Sequence, residues 1–158
     1  MIRCVPALLV LALATPQAAL GEAPLKVIAL TADWCARCHV LEPALARALE
    51  ETPSGTVRYI DIDLTAMTAS DEARRGLSAA TEARLRLHKA TWIWEKHKAR
   101  TGLAFVIDAD TGTALDCLTS DLSAREMAGR LKLAAATSRG MAKAGQVPAH
   151  ADCAGRAG

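Results

Sequence analysis

LKVIALTADWCARCHVLEP, residues Leu25 to Pro43, joins an apolar run to a cysteine pair and a helical pattern. Its first seven residues, Leu25 to Thr31, form a nearly continuous apolar run rich in β-branched side chains. That pattern predicts a buried parallel strand. Asp33 and Trp34 make a turn, and a helix is expected from Cys35 to about Glu51. Leu41, Leu45 and Leu49 recur every four residues beside Ala44 and Ala48, which gives one apolar face. Pro43 falls inside that pattern and is expected to kink the helix after its first turn. At the helix start stands Cys35-Ala36-Arg37-Cys38, a C-x-x-C. Two thiols at this spacing can close a small, reversible disulfide. The helix end offers partial positive charge and free N–H groups, which favour a thiolate on Cys35. Arg37 adds a full positive charge. A disulfide exchanger needs an exposed attacking thiol and a resolving thiol within reach, and this stretch provides the pair.

Pro53-Ser54-Gly55 stops the helix and Thr56 to Asp61 (TVRYID) reads as a second strand. Strand, helix and strand with short connections make a right-handed βαβ unit. The stretch 64–100 reads as a helical insertion. Ser70 can cap a helix with Asp71 and Glu72 in its first turn, and Ala73, Leu77, Ala80, Arg84 and Leu87 follow at helical spacing. A short helix is expected around Trp92, Trp94 and Glu95. Leu103 to Ile107 (LAFVI) is another buried strand. Asp108 to Gly112 is a hairpin loop, and Thr113 to Leu118 returns as its partner. Ser123-Ala124-Arg125-Glu126 is a capping box that opens a last helix through Met127, Leu131 and Ala135. The order β-α-β, helical insertion, β-hairpin, α predicts an α/β domain around a central four-stranded mixed sheet.

The two ends read differently. Arg3, an apolar stretch from Val5 to Ala14, and the small residues before Gly21 make residues 1–21 a signal peptide, with cleavage expected after Gly21. The alternative is an uncleaved anchor, although the run is short for a transmembrane helix. Residues 22–137 are assigned to the domain and 138–158, rich in Gly, Ala, Lys and Pro, to a flexible C-terminal tail. Loss of Arg3 with the leader takes the net charge from +2 to +1. That balance excludes a nucleic-acid role and a polybasic membrane patch. Of five cysteines, Cys4 leaves with the leader. The remaining four, Cys35, Cys38, Cys117 and Cys153, suit an exported chain with disulfides. There is no Gly-rich phosphate loop, no Ser-His-Asp pattern and no second metal-type cysteine pair.

With VIALT, then Trp34-Cys35-Ala36-Arg37-Cys38, then Pro43 five residues on, the chain resembles the thioredoxin family over about Leu25 to Ala136. The string ADWCARCHVLEP looks most like periplasmic members that pass electrons to or from other exported proteins. The resemblance implies a thioredoxin-like fold, with Cys35 as nucleophile and Cys38 as the thiol that resolves the mixed disulfide. It also marks two departures. Ala29 occupies the place of the family's buried acid, leaving Asp33 or a water to replace it. Thr101-Gly102 occupies the place of the cis-proline that faces the cysteines, so Thr101 and Gly102 are substrate-docking candidates. The helical insertion is a place where relatives shape partner choice.

Around the motif, Trp34 reads as a packing lid beside the sulfurs with a part in substrate contact. Arg37 reads either as a solvated side chain or as a cation that stabilises the reduced thiolate. His39 reads as an exposed helix residue, a further positive charge near the thiolate, or a metal partner of the two thiols. Trp92 and Trp94 read as packing, while His88, His97 and His150 read as surface residues. Cys117 fits a small core hydrophobe. A lone exposed Cys153 would be a liability in an oxidising compartment, which suggests a structural Cys117–Cys153 disulfide pinning the tail. The expected function is an exported, periplasmic thiol–disulfide oxidoreductase, a reductase or electron relay, needing no cofactor and no metal. Its expected partners are protein disulfide or thiol substrates and a membrane electron-donor protein, with no nucleic acid. Other readings stay open: a thioredoxin-fold copper chaperone, a strongly oxidising disulfide donor, and a redox-inactive adaptor docking through the insertion.

Overall fold

A computed structural model of the protein describes residues 23–97, 100–145, 151 and 153. The first strand, β1 (Leu25–Thr31), is buried along its whole length. Its apolar run is continuous because both faces are covered. Leu25, Val27 and Ala29 face a cluster holding Leu41, Leu45, Met127 and Leu131, while Ile28 and Leu30 face a second cluster holding Ile60, Leu85, Ile93 and Phe105. β1 pairs in parallel with β2 (Val57–Asp63) and antiparallel with β3 (Leu103–Asp108), and β3 pairs antiparallel with β4 (Ala114–Thr119). The strand order β2-β1-β3-β4 is the mixed four-stranded, thioredoxin-like arrangement expected from the sequence.

The helix α1 (Cys38–Glu50) buries Cys38, Leu41, Leu45 and Ala48. It starts three residues later than the apolar pattern suggested, because Cys35 to Arg37 form a separate turn before it. Pro43 is accommodated within α1, where it leaves the carbonyl of His39 without its helical N–H. Ser70 caps α2 (Asp71–Leu87), accepting from the N–H of Ala73. The face of α2 differs from expectation. Its buried residues are Thr81 and Leu85, with Leu77 half-buried, whereas Leu87 is 80% exposed. The row 77–81–85 packs toward α3 (Thr91–His97) and the core beneath it.

α3 corrects another expectation. His97 is buried, not a surface residue: its ring sits 4.8 Å from that of Phe105, and Trp92 stacks edge-on to Phe105 at 5.6 Å. The indole N–H of Trp92 donates to the carbonyl of Gly112, tying α3 to the hairpin. His88 is half-buried, and His150 lies outside the described residues.

The capping box of Ser123 and Glu126 opens α4 (Ala124–Lys143), which packs beside α1 on the same sheet face. α4 runs on through 138–143, residues the sequence assigned to the tail. Ser138 is buried there and donates to the Oδ2 of Asp108 at 2.7 Å, which holds this turn against the hairpin. Further along, the N–H of Ala151 donates to the carbonyl of Ala114 on β4. The expected signal peptide, 1–21, and most of the expected tail beyond α4 lie outside the described residues. No helix among the described residues is long and apolar enough to cross a membrane.

Candidate active site

β1 ends at Thr31 and delivers the chain to a turn in which the N–H of Cys35 donates to the carbonyl of Ala32 at 3.0 Å. The chain then folds back on itself at once. The N–H of Cys38 donates to both the carbonyl of Cys35, at 2.9 Å, and its sulfur, at 3.1 Å. Cys35 and Cys38 are disulfide-bonded across this turn, with Cα atoms 5.3 Å apart. The two sulfurs are not equivalent. Cys35 is 6% exposed and Cys38 not at all, so Cys35 is the less buried of the two. An N–H at the start of α1 already points at it, and that is where negative charge on sulfur is stabilised when the bond opens.

The turn before the disulfide is braced from β2. Thr65, in the 3₁₀ turn Thr65–Thr68, accepts the N–H of Asp33 on its hydroxyl and the indole N–H of Trp34 on its carbonyl, at 3.0 and 3.1 Å. Asp63 in turn accepts the N–H of Thr65 at 2.8 Å, and bonds from Thr65 hold its carboxyl below the usual range. Thr65 is a positioning residue to which the sequence reading gave no role. A short Asp-x-Thr after a strand is the signal for such an Asx-type turn. Trp34, so anchored, remains 47% exposed beside Cys35.

His39 folds back, its Nε2 lying 3.0 Å from the carbonyl of Asp33. It joins Asp33, Glu42, Asp61 and Asp63 around a small polar cleft on the β2 side of the motif. Among the described residues no three His, Cys, Asp or Glu side chains are grouped to hold a metal ion. The negative character of this side is felt by Tyr59. Burial first, then the charges of Asp61 and Glu42, push its hydroxyl up to about 12.

On the other side the loop before β3 comes close. Thr101 is half-buried and Gly102 buried, and the N–H of Gly102 donates to the carbonyl of Leu30. No peptide bond among the described residues is cis; instead Gly102 takes φ +78°. A Cβ at Gly102 would lie 2.7 Å from the Cβ of Arg37 and 3.6 Å from the sulfur of Cys35. Gly102 and Arg37 are thus brought together beside the reactive sulfur. Ala29 is fully buried among the apolar residues between β1, α1 and α4, so no ionisable group occupies that position. Asp33 is exposed.

Cys117 and Cys153 lie away from this turn. They are disulfide-bonded, their Cα atoms 5.7 Å apart, and both are buried in the apolar cluster that contains Phe105 and Ile93. Phe105 is the cross-strand partner of Cys117.

No protein-family model matches the chain, and no curated protein matches it. Three solved structures are similar in fold. StoA from Bacillus subtilis is 13% identical with a TM-score of 0.46, over 69% of this chain and 83% of its own. Trxlp from Edwardsiella tarda is 13% identical with a TM-score of 0.43, over 71% and 85%. A thioredoxin-related protein from Neisseria meningitidis serogroup B is 18% identical with a TM-score of 0.47, over 77% and 93%.

Proposed function

We propose that the chain is an exported thiol–disulfide oxidoreductase that works through Cys35 and Cys38, as a reductase or electron relay toward other exported proteins. The observation that carries this reading is the asymmetry of the disulfide: Cys35 is the less buried of the two, 6% exposed with its sulfur faced by an N–H, while Cys38 is sealed beneath it. That is the division of labour disulfide exchange needs.

The cycle balances as follows. A dithiol donor protein, at the membrane in this reading, attacks Cys35 with one thiolate, and Cys38 leaves as thiolate and takes a proton. The donor's second thiol then attacks its own sulfur in the mixed disulfide. Cys35 is released, the donor is now a disulfide, and two electrons and two protons have moved to the chain. The reduced chain spends them in mirror image. Cys35 thiolate attacks a substrate disulfide, the substrate's leaving sulfur is protonated, and Cys38 closes on Cys35 to free the second substrate thiol. The chain's own residues supply the rest. The Cys38 N–H and Arg37 stabilise charge on Cys35 sulfur, and the Thr65 brace fixes the turn.

Export rests on the leader in residues 1–21 and on the even set of four cysteines behind it. Arg37 and the apolar Ala29 site favour a more oxidising pair, which supports a disulfide donor as the second reading. Equilibration against glutathione and dithiothreitol buffers separates the two. A midpoint near about −270 mV supports a reductase, and one near about −120 mV supports a disulfide donor.

A further inference from the structure

Cys35 is the shared corner of two consecutive turns. In the first its N–H donates to the carbonyl of Ala32 at 3.0 Å, and in the second its carbonyl accepts the N–H of Cys38 at 2.9 Å. Asp33 and Trp34 are the middle residues of the first turn, and the peptide group between them takes no part in the turn's own hydrogen bond. The oxygen of that peptide is the carbonyl of Asp33, and the Nε2 of His39 lies 3.0 Å from it. A carbonyl only accepts, so Nε2 carries a proton and donates. The backbone N–H of the same histidine donates to the carbonyl of Cys35 at 3.4 Å. His39 therefore straddles both turns. On the β2 side the N–H of Asp33 donates to the hydroxyl of Thr65 at 3.0 Å. Both polar backbone groups of Asp33 are thus held by side chains, one from α1 and one from the 3₁₀ turn.

In the oxidised chain the covalent bond between Cys35 and Cys38 already fixes the second turn. When that bond opens, hydrogen bonds alone keep the sulfur of Cys35 against the N–H of Cys38, which stabilises its negative charge. We infer that His39 is a positioning residue for exchange at Cys35. Its ring holds the Asp33 carbonyl, and so the turn that presents the sulfur, most of all in the reduced chain. His39 is exposed and lies among Asp33, Glu42, Asp61 and Asp63 on the β2 side of the motif. It acts through the turn and touches no substrate. The inference rests on the exchange reading above and adds a residue to its machinery.

The test times two half-reactions. In one, the Cys35 thiolate of the reduced protein attacks a symmetrical peptide disulfide. One peptide is bound, the other leaves as thiolate and takes a proton, and Cys38 then closes on Cys35 to free the second. In the other, dithiothreitol reduces the Cys35–Cys38 disulfide. His39→Ala removes the ring at an exposed helix position, so its urea midpoint should stay close to that of the unaltered protein. Its attack on the peptide disulfide should be roughly threefold to tenfold slower, the worth of one hydrogen bond, while its reduction by dithiothreitol changes by less than about twofold. His39→Gln keeps an N–H donor without a charge, and should restore most of the lost rate. Rescue by Gln thereby separates a hydrogen bond from the positive charge of an imidazolium. An unchanged rate in His39→Ala, a loss that Gln does not restore, or an equal loss in the two half-reactions overturns the inference and leaves the exchange reading standing. No exchange between the unaltered protein and the peptide overturns the exchange reading beneath it.

Discussion

The backbone N–H of Cys38 points at the sulfur of Cys35 from 3.1 Å, while the sulfur of Cys38 is itself sealed from solvent. After reduction, Cys35 should therefore be the thiol that reacts. Brief iodoacetamide treatment of the reduced protein, followed by peptide mass mapping, is expected to modify Cys35 at least about tenfold faster than Cys38. Equal labelling of the two would contradict the asymmetry.

Gly102→Ala combines two costs. The residue sits at φ +78°, and its new Cβ would meet the Cβ of Arg37 at 2.7 Å, with backbone-attached carbon on both sides. A loss of about 1–3 kcal/mol in unfolding free energy is expected. Exchange at Cys35 should slow as well, because the same Cβ reaches within 3.6 Å of its sulfur. Denaturant midpoints and exchange rates measured side by side check both. An unaltered rate would mean that the loop before β3 does not border the approach to Cys35.

The Cys117–Cys153 bridge closes a separation of 36 residues and joins the chain beyond α4 to β4. Removing it as Cys117→Ser with Cys153→Ser should cost about 3–4 kcal/mol, chiefly by freeing the unfolded chain. Equilibrium unfolding in urea without reductant measures this. Non-reducing peptide mapping should recover the Cys117–Cys153 pair, and Cys153 alkylated without prior reduction would refute the bridge.

Asp108 is expected to contribute to acid stability. Burial pushes its carboxyl up, but hydrogen bonds from Ser138, Thr111 and Asp110 outweigh burial and hold it below the usual range. A carboxyl depressed by folding stabilises fully above its unfolded value of about 3.9, and that contribution is lost as pH falls through the folded value. Asp108→Asn should therefore destabilise at pH 7 by about 1–3 kcal/mol. It should also flatten the fall in stability below about pH 4. Unfolding midpoints from pH 3 to pH 7 read both effects, and parallel curves for the two proteins would exclude the role.

Much of the fold was legible because its signals are local. LKVIALT reads as buried on both faces, and it is. Ser70 and the Ser123–Glu126 box announced two helix starts by chemistry confined to four residues each. The misreadings came where distant packing decides. The face of α2 turned to Thr81 and Leu85 because α3 and the 3₁₀ turn lie against it, which no helical periodicity in 71–87 records. His97 looks like a surface residue in TWIWEKH, yet Phe105 takes it into the core from the next strand. α4 continues past Ser138 because Asp108, thirty residues earlier, receives its hydroxyl.

The site divided in the same way. The Cys35–Cys38 disulfide was readable from spacing. The start of α1 was not, because a disulfide turn takes the three residues that periodicity would give to the helix. Thr65 escaped notice because its role lies in two bonds to the opposite strand end. The nearness of Gly102 to Arg37 arises only when β3 is laid beside β1, 65 residues of chain from the motif.

In the proposed exchange Cys35 attacks and Cys38 resolves. Cys38→Ser removes the resolving thiol and should hold the intermediate. The reduced variant is incubated with a peptide disulfide and analysed by intact mass without reductant. A covalent adduct of one peptide, mapped to Cys35, reversed by dithiothreitol and absent when Cys35→Ser is added, is the predicted result. No adduct, or an adduct that persists in the Cys35→Ser background, would contradict it.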